Sequence, residues 1–243
     1  MSNFDGAVVE GMSALSGHHA VLDFLFLTLG ERYTFKLVPL IAGLFWVWSR
    51  DRVGRRQASV GAIGAFAALI LARVIQNFGP HRARPISSPL FHFPGAAQNT
   101  VVDWSSFPSD TTALACALTT AIFLASRKFG LLAFAWTAFV AIAKLYGGYH
   151  YPTDVVVGAL IGIAATLVTQ KSTVMMNWIF DRLEFHRTKR PGLFAAIAFL
   201  AAFQLATFFN DVRTAAKAIH EQGSVAERSK LTQPLPAGAH QIR

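Results

Sequence analysis

Apolar runs recur along this chain, each near the length that spans a bilayer, and they restrict what it can fold into. They lie near residues 35–49, 57–75, 108–126, 130–146, 153–170 and 192–209. Inside hydrocarbon every backbone N–H and C=O needs a partner in its own segment, so such runs can only be helices. Residues 18–30 are apolar but short, and read as interfacial or re-entrant rather than spanning. With 53% hydrophobic and 14% charged residues, the chain is expected to be all-α, a polytopic membrane bundle of about six transmembrane helices over residues 1–210. Residues 211–243 are polar, contain Pro234 and Pro236 and lack an apolar period, which predicts a flexible tail.

The net charge of +9 invites a nucleic-acid reading, but its distribution argues against one. Arg50, Arg52, Arg55 and Arg56 separate the first two runs, and Arg127 and Lys128 separate the third and fourth. Lys171, Arg182, Arg187, Lys189 and Arg190 separate the fifth and sixth. These connections share one side of the membrane, and the positive-inside rule makes that side cytoplasmic. The single cysteine, Cys116, falls inside a run and reads as a packing residue.

The most chemical stretch is Lys144-Leu145-Tyr146-Gly147-Gly148-Tyr149-His150-Tyr151-Pro152-Thr153-Asp154. Pro152 suits the first turn of a helix, where its missing N–H has no partner to lose. Asp154 then falls in that first turn, beside the exposed amides. His150 precedes the turn, so Asp154 is expected to hold one ring nitrogen and aim the other. Two more segments belong with it. Arg82-Ala83-Arg84-Pro85 follows one apolar run, and Phe107-Pro108-Ser109-Asp110-Thr111 opens another.

In order and spacing, the three segments resemble the motifs of the PAP2 (type 2 phosphatidic acid phosphatase) superfamily. Those motifs read Lys-x6-Arg-Pro, then Pro-Ser-Gly-His, then Ser-Arg-x5-His-x3-Asp. The Pro-Ser-Asp variant and the early Leu15-Ser16-Gly17-His18-His19 stretch make the chain most similar to the small bacterial undecaprenyl-diphosphatase branch. The resemblance implies a lipid phosphatase of the bacterial cytoplasmic membrane with its site facing outward, acting through a phosphohistidine without cofactor or metal. Its partners would be a phosphorylated lipid substrate and the surrounding membrane lipids, with no nucleic acid.

Carried over residue by residue, His150 is the nucleophile and Asp154 its orienter. Arg84, Lys144 and Ser109 bind the phosphoryl group, Ser109 from a helix that Pro108 is expected to start. Ser109 has a second reading as a plain helix cap. Arg82 is either a further cation or an arginine held by lipid headgroups.

Three positions depart from the pattern. Asn77 stands where the first motif has lysine, with Arg73 one turn earlier, and His81 and Arg82 nearby, as replacements for the charge. Lys144 stands for an arginine and loses its fork. Thr111 stands for the histidine expected to protonate the leaving oxygen. A lost acid commonly costs on the order of 10²–10⁴ in rate, less when the leaving group is good. That favours a diphosphate, and makes Asp110, His81 and His92 candidates for a substitute acid.

His18, His19 and Asp23 offer a weak metal-ligand pattern with no matching cluster elsewhere. Phe91, Phe93 and Trp104 read as an interface belt or a lid. A phosphotransferase using the same histidine and a non-catalytic lipid-phosphate binder are the competing functions.

Overall fold

The computed structural model describes residues 3–29, 32–94 and 105–207, which form helices joined by loops, with no strand among them. The expected tail at 211–243, Trp104 and the end of the run at 192–209 lie outside the described residues. In chain order the helices are α1 (Asn3–Leu15), α2 (Ala20–Asp23), α3 (Tyr33–Lys36), α4 (Val38–Arg50) and α5 (Arg52–Phe78). They continue as α6 (Asp110–Ala125), α7 (Arg127–Tyr146), α8 (Pro152–Lys171), α9 (Thr173–Lys189) and α10 (Pro191–Ala206).

Three of these, α5, α7 and α8, are long and apolar enough to cross a membrane, and α4, α6 and α10 are shorter apolar helices. At 27 residues, α5 is about 40 Å long, more than the hydrocarbon thickness of ~30 Å. Its first turn therefore carries Arg52, Arg55 and Arg56 beyond the apolar stretch. The segment expected near 18–30 is short, as anticipated: α2 runs into a π-helical turn at Phe24–Leu29.

Local chemistry explains the boundaries. Asp51 is extended (φ −161°) and its Oδ1 accepts 2.6 Å from the amide of Gly54, so α5 begins immediately after α4 ends. Pro152 and Pro191 occupy first-turn positions of α8 and α10. The start of α6 differs from expectation. Pro108 lies before the helix, and Ser109 caps it, accepting from the Thr112 amide at 3.4 Å.

The core forms around α6, whose residues from Asp110 to Ile122 are all buried. Small residues let its neighbours approach. A Cβ added at Gly158 would strike the Ser109 carbonyl, and one at Gly162 would strike the Ala113 carbonyl and sit 2.9 Å from the Ala117 nitrogen. Thr166 continues the stripe and donates 3.0 Å to the Ala117 carbonyl. Backbones this close exchange dispersion over the full contact, the way helices associate where lipid removes the hydrophobic drive.

The connection expected between the fifth and sixth runs is itself a helix, α9. Its inner face pairs with the start of α5 through Arg55–Glu184 at 2.7 Å and Arg52–Asp181 at 3.4 Å. Alternating charge without a sustained apolar run hid it from the sequence, and the partners that order it lie 129 residues away. The basic connections thus gather at one end of the bundle. The three motifs gather at the other.

Candidate active site

The site lies where α5 ends, α6 begins, α7 ends and α8 begins. Gly148 makes the turn from α7 possible, with φ +66°, a conformation in which a Cβ is strained. The ring of Phe93 also packs on it, 2.5–2.8 Å from where a Cβ would stand. The Gly148 carbonyl accepts 2.8 Å from the Ile86 amide, which fastens the Arg84-Pro85 turn to the loop that carries His150.

Four residues singled out from the sequence converge here, all buried: Arg84, Lys144, His150 and Asp154. The Nδ1 of His150 lies 2.8 Å from the Ser106 carbonyl oxygen. A carbonyl only accepts, so Nδ1 carries the proton. The Nε2 lies 3.4 Å from Nη1 of Arg84, which only donates, so Nε2 presents its lone pair. Both contacts specify the same neutral tautomer. Burial and the Arg84 guanidinium hold the imidazole well below its ordinary 6.5, which keeps that nitrogen unprotonated.

The orienter expected from the sequence is displaced. Asp154 Oδ2 is 3.9 Å from His150 Nδ1, beyond hydrogen-bond range. That oxygen instead accepts 2.8 Å from the Tyr151 amide, and Oδ1 accepts 2.6 Å from Arg82. The ring is therefore aimed by the Ser106 carbonyl, and Asp154 fixes the backbone beside it. Arg82, expected as a further cation or a headgroup-bound arginine, is engaged with two carboxylates here. Its Nη2 bonds Asp5 at 2.6 Å, its Nη1 also bonds Thr153 at 2.8 Å, and its plane lies 3.9 Å over the Tyr151 ring.

Arg84 is buried, with Nη1 donating 2.8 Å to the Tyr149 carbonyl. Lys144, in the last turn of α7, places Nζ 5.1 Å from the centre of the Tyr149 ring. Ser109 has its hydroxyl engaged with Thr112, so capping is the role its geometry displays. Thr111 donates its amide to the Asp110 side chain at 2.6 Å.

Asp110 pairs with Arg73 at 2.6 Å, so the replacement charge from one turn before Asn77 does reach the site, through this carboxylate. An aspartate held that way is committed as an acceptor, which counts against it as a substitute acid. His81 and His92 are exposed, and the backbone of His92 is held by Ser13 Oγ. Asp23 accepts from Gly17 and Tyr146, so the weak metal pattern at 18–23 is spent on structure.

Sequence reasoning missed Asp5, Thr153 and Ser106. Asp5 lies 77 residues from Arg82, a separation that leaves no local trace. Ser106 acts through a carbonyl that any residue would supply.

The depressed His150 has a consequence for stability. Below about pH 6.5 the unfolded chain binds a proton that the folded site refuses, so stability falls as pH falls, with a limiting slope of about 1.4 kcal/mol per pH unit. The loss continues down to the folded-state pKa. Unfolding of the wild type and His150→Gln between pH 7.5 and 5 checks this: the wild type loses stability faster on acidification, and parallel curves would refute it.

A neutral imidazole beside a guanidinium, at one end of a bundle built of helices in the described residues, supplies groups that phosphoryl transfer uses. The PAP2 superfamily pattern matches residues 58–184, and the chain belongs to that superfamily, as a lipid phosphate phosphatase. It is 29% identical over 152 residues to the bacitracin transport permease protein BcrC of Bacillus licheniformis, covering 60% of this chain and 71% of that one. It is 27% identical over 160 residues to the undecaprenyl-diphosphatase BcrC of Bacillus subtilis (strain 168), covering 64% and 77%. The crystal structure of Aquifex aeolicus LpxE shares its fold with a TM-score of 0.52 and 24% identity, over 70% of this chain and 99% of that one. The apolar helices and the family together make this a multi-pass membrane protein.

Proposed function

We propose that the chain hydrolyses a lipid diphosphate, with undecaprenyl diphosphate the best candidate, through a phosphohistidine at His150. The observation that carries this reading is the pair of contacts on the His150 ring, Nδ1 on the Ser106 carbonyl and Nε2 facing Nη1 of Arg84, which together specify an unprotonated Nε2. In this reading the Nε2 lone pair attacks the terminal phosphorus. The bond to the bridging oxygen breaks, and its electron pair leaves on the lipid monophosphate. Arg84 and Lys144 hold the phosphoryl oxygens as charge spreads over them. The phosphorylated imidazole keeps Nδ1–H on Ser106, and Asp154 at 3.9 Å offsets the positive charge. Water then attacks phosphorus, releases inorganic phosphate and restores Nε2.

The leaving monophosphate departs as an anion, so Thr111 is tolerable where the family has an acid. The 27% identity to an undecaprenyl-diphosphatase supports the same substrate class. With six spans (α4–α8 and α10) and the basic ends of α5 and α9 on the cytoplasmic side, the site opens to the outer face of a bacterial cytoplasmic membrane.

The test is phosphate release by the purified chain in detergent with excess EDTA. The panel is undecaprenyl diphosphate, undecaprenyl phosphate and phosphatidic acid. We expect EDTA-resistant turnover, with the diphosphate favoured over its monophosphate by about 10² or more because only the monoester needs the missing acid. Equal rates on both would remove the diphosphate assignment. Headgroup binding without turnover on any lipid would replace the enzyme with a binder.

A further inference from the structure

The amino-terminal helix enters the site through one residue. Asp5, in the first turn of α1, is 2% exposed although it lies outside the segment 58–184 that defines the family. Its Oδ2 accepts 2.6 Å from Nη2 of Arg82 and 2.8 Å from the hydroxyl of Thr153, and its Oδ1 accepts 3.1 Å from the Thr153 amide. Thr153 is the second residue of α8, so Asp5 caps from a distance the helix that starts two residues after His150. The hydrogen bonds from Arg82 and Thr153 outweigh the effect of burial and hold the Asp5 carboxyl below its ordinary value. The other arm of Arg82 holds Asp154, which in turn holds the amide of Tyr151. A planar fork with a carboxylate on each arm has one orientation.

We propose that Asp5 is a positioning residue for phosphoryl transfer at His150: by locking Arg82 onto Asp154 and capping α8, it holds the 147–151 loop where Nε2 meets phosphorus. The inference rests on His150 being the nucleophile. Asp5→Asn removes the charge that pairs with Arg82 and turns one of the two accepting oxygens into an NH2 donor facing the donors of Arg82 or Thr153. The loop that carries His150 then shifts, and a misplacement of about 1 Å costs up to ~10²-fold in rate. Substrate is held by Arg84 and Lys144, so KM stays while kcat falls.

The test uses the full chain in detergent with undecaprenyl diphosphate. Asp5→Asn lowers kcat by about 10- to 100-fold per folded molecule with KM within about threefold. Asp5→Glu, which keeps the charge, recovers part of the loss. Asp5→Asn combined with Arg82→Gln is no slower than the worse single variant, because both break the same bridge. Glu10→Gln, exposed on the same helix, turns over as wild type. An unchanged kcat in Asp5→Asn, or losses that multiply in the double variant, overturns the inference.

Orthovanadate, which mimics the five-coordinate phosphoryl group, separates this from failure of the catalytic reading. If the wild type turns over no lipid but binds vanadate, a weakening of tenfold or more in Asp5→Asn upholds the bridge, and unchanged affinity overturns it. A chain that neither turns over lipid nor binds vanadate overturns both.

Discussion

His150→Ala is expected to lower phosphate release from a lipid diphosphate by at least about 10⁴-fold, the scale of loss when a covalent nucleophile is removed. The phosphoryl-binding side chains and their neighbours are poorly suited to take over the bond. Arg84 and Lys144 are cations, Asp110 is paired with Arg73, and the Ser109 hydroxyl caps α6. Asp154→Asn provides the informative contrast. A carboxylate that directly sets the tautomer of a catalytic histidine is worth ~10⁴. Here the Ser106 carbonyl sets it, and Asp154 stands 3.9 Å away. The loss in Asp154→Asn is therefore expected to stay near 10–10². Parallel kcat measurements on the two variants, each checked for folding by size exclusion, decide it. Residual turnover within tenfold of wild type in His150→Ala would sink the phosphohistidine reading. Equal losses in both variants would return Asp154 to the orienting role.

Gly162→Val is expected to be the most damaging single change to the fold. The added Cβ would meet the Ala113 carbonyl and stand 2.9 Å from the Ala117 nitrogen, so the obstacle is backbone on both counts. Flexible side chains can move aside, but a helix can only back away as a unit. Separating α8 from α6 gives up their dispersion contact and the Thr166 hydrogen bond together, costing more than about 3 kcal/mol. Because α8 carries Asp154 and α6 follows Ser106, turnover falls as well. Gly192→Ala is the control, since a Cβ there meets nothing within 4 Å. Thermal unfolding in detergent should show a large drop in Tm for the first and none for the second. A wild-type Tm in Gly162→Val would mean that α6 and α8 are not in close contact.

The helical class was legible because hydrocarbon leaves the backbone no alternative, and the sequence placed apolar runs where α4 to α8 and α10 stand. The first-turn proline Pro152 marked the start of α8 for a local reason, the missing N–H. Pro108 misled, because it precedes a Ser109 cap that serves equally well. α9 was illegible because the carboxylate and arginine that order it are far apart in sequence, as Glu184 and Arg55 show. From the sequence Arg82 reads as a further cation or a headgroup-bound arginine, since its partners lie far away in the chain. Next to Asp5 and Asp154 it becomes a bridge.

The sequence by itself determined the lipid-compatible helices, the end of the bundle that carries the basic residues, and the side-chain types available for phosphoryl chemistry. Those follow from composition, period and spacing, which act over a few residues. Tertiary structure alone decided which atom aims His150, what Arg82 holds, and that a residue in α1 belongs to the site. A backbone carbonyl has no residue signature, and a charge has no fixed role until burial selects its partner.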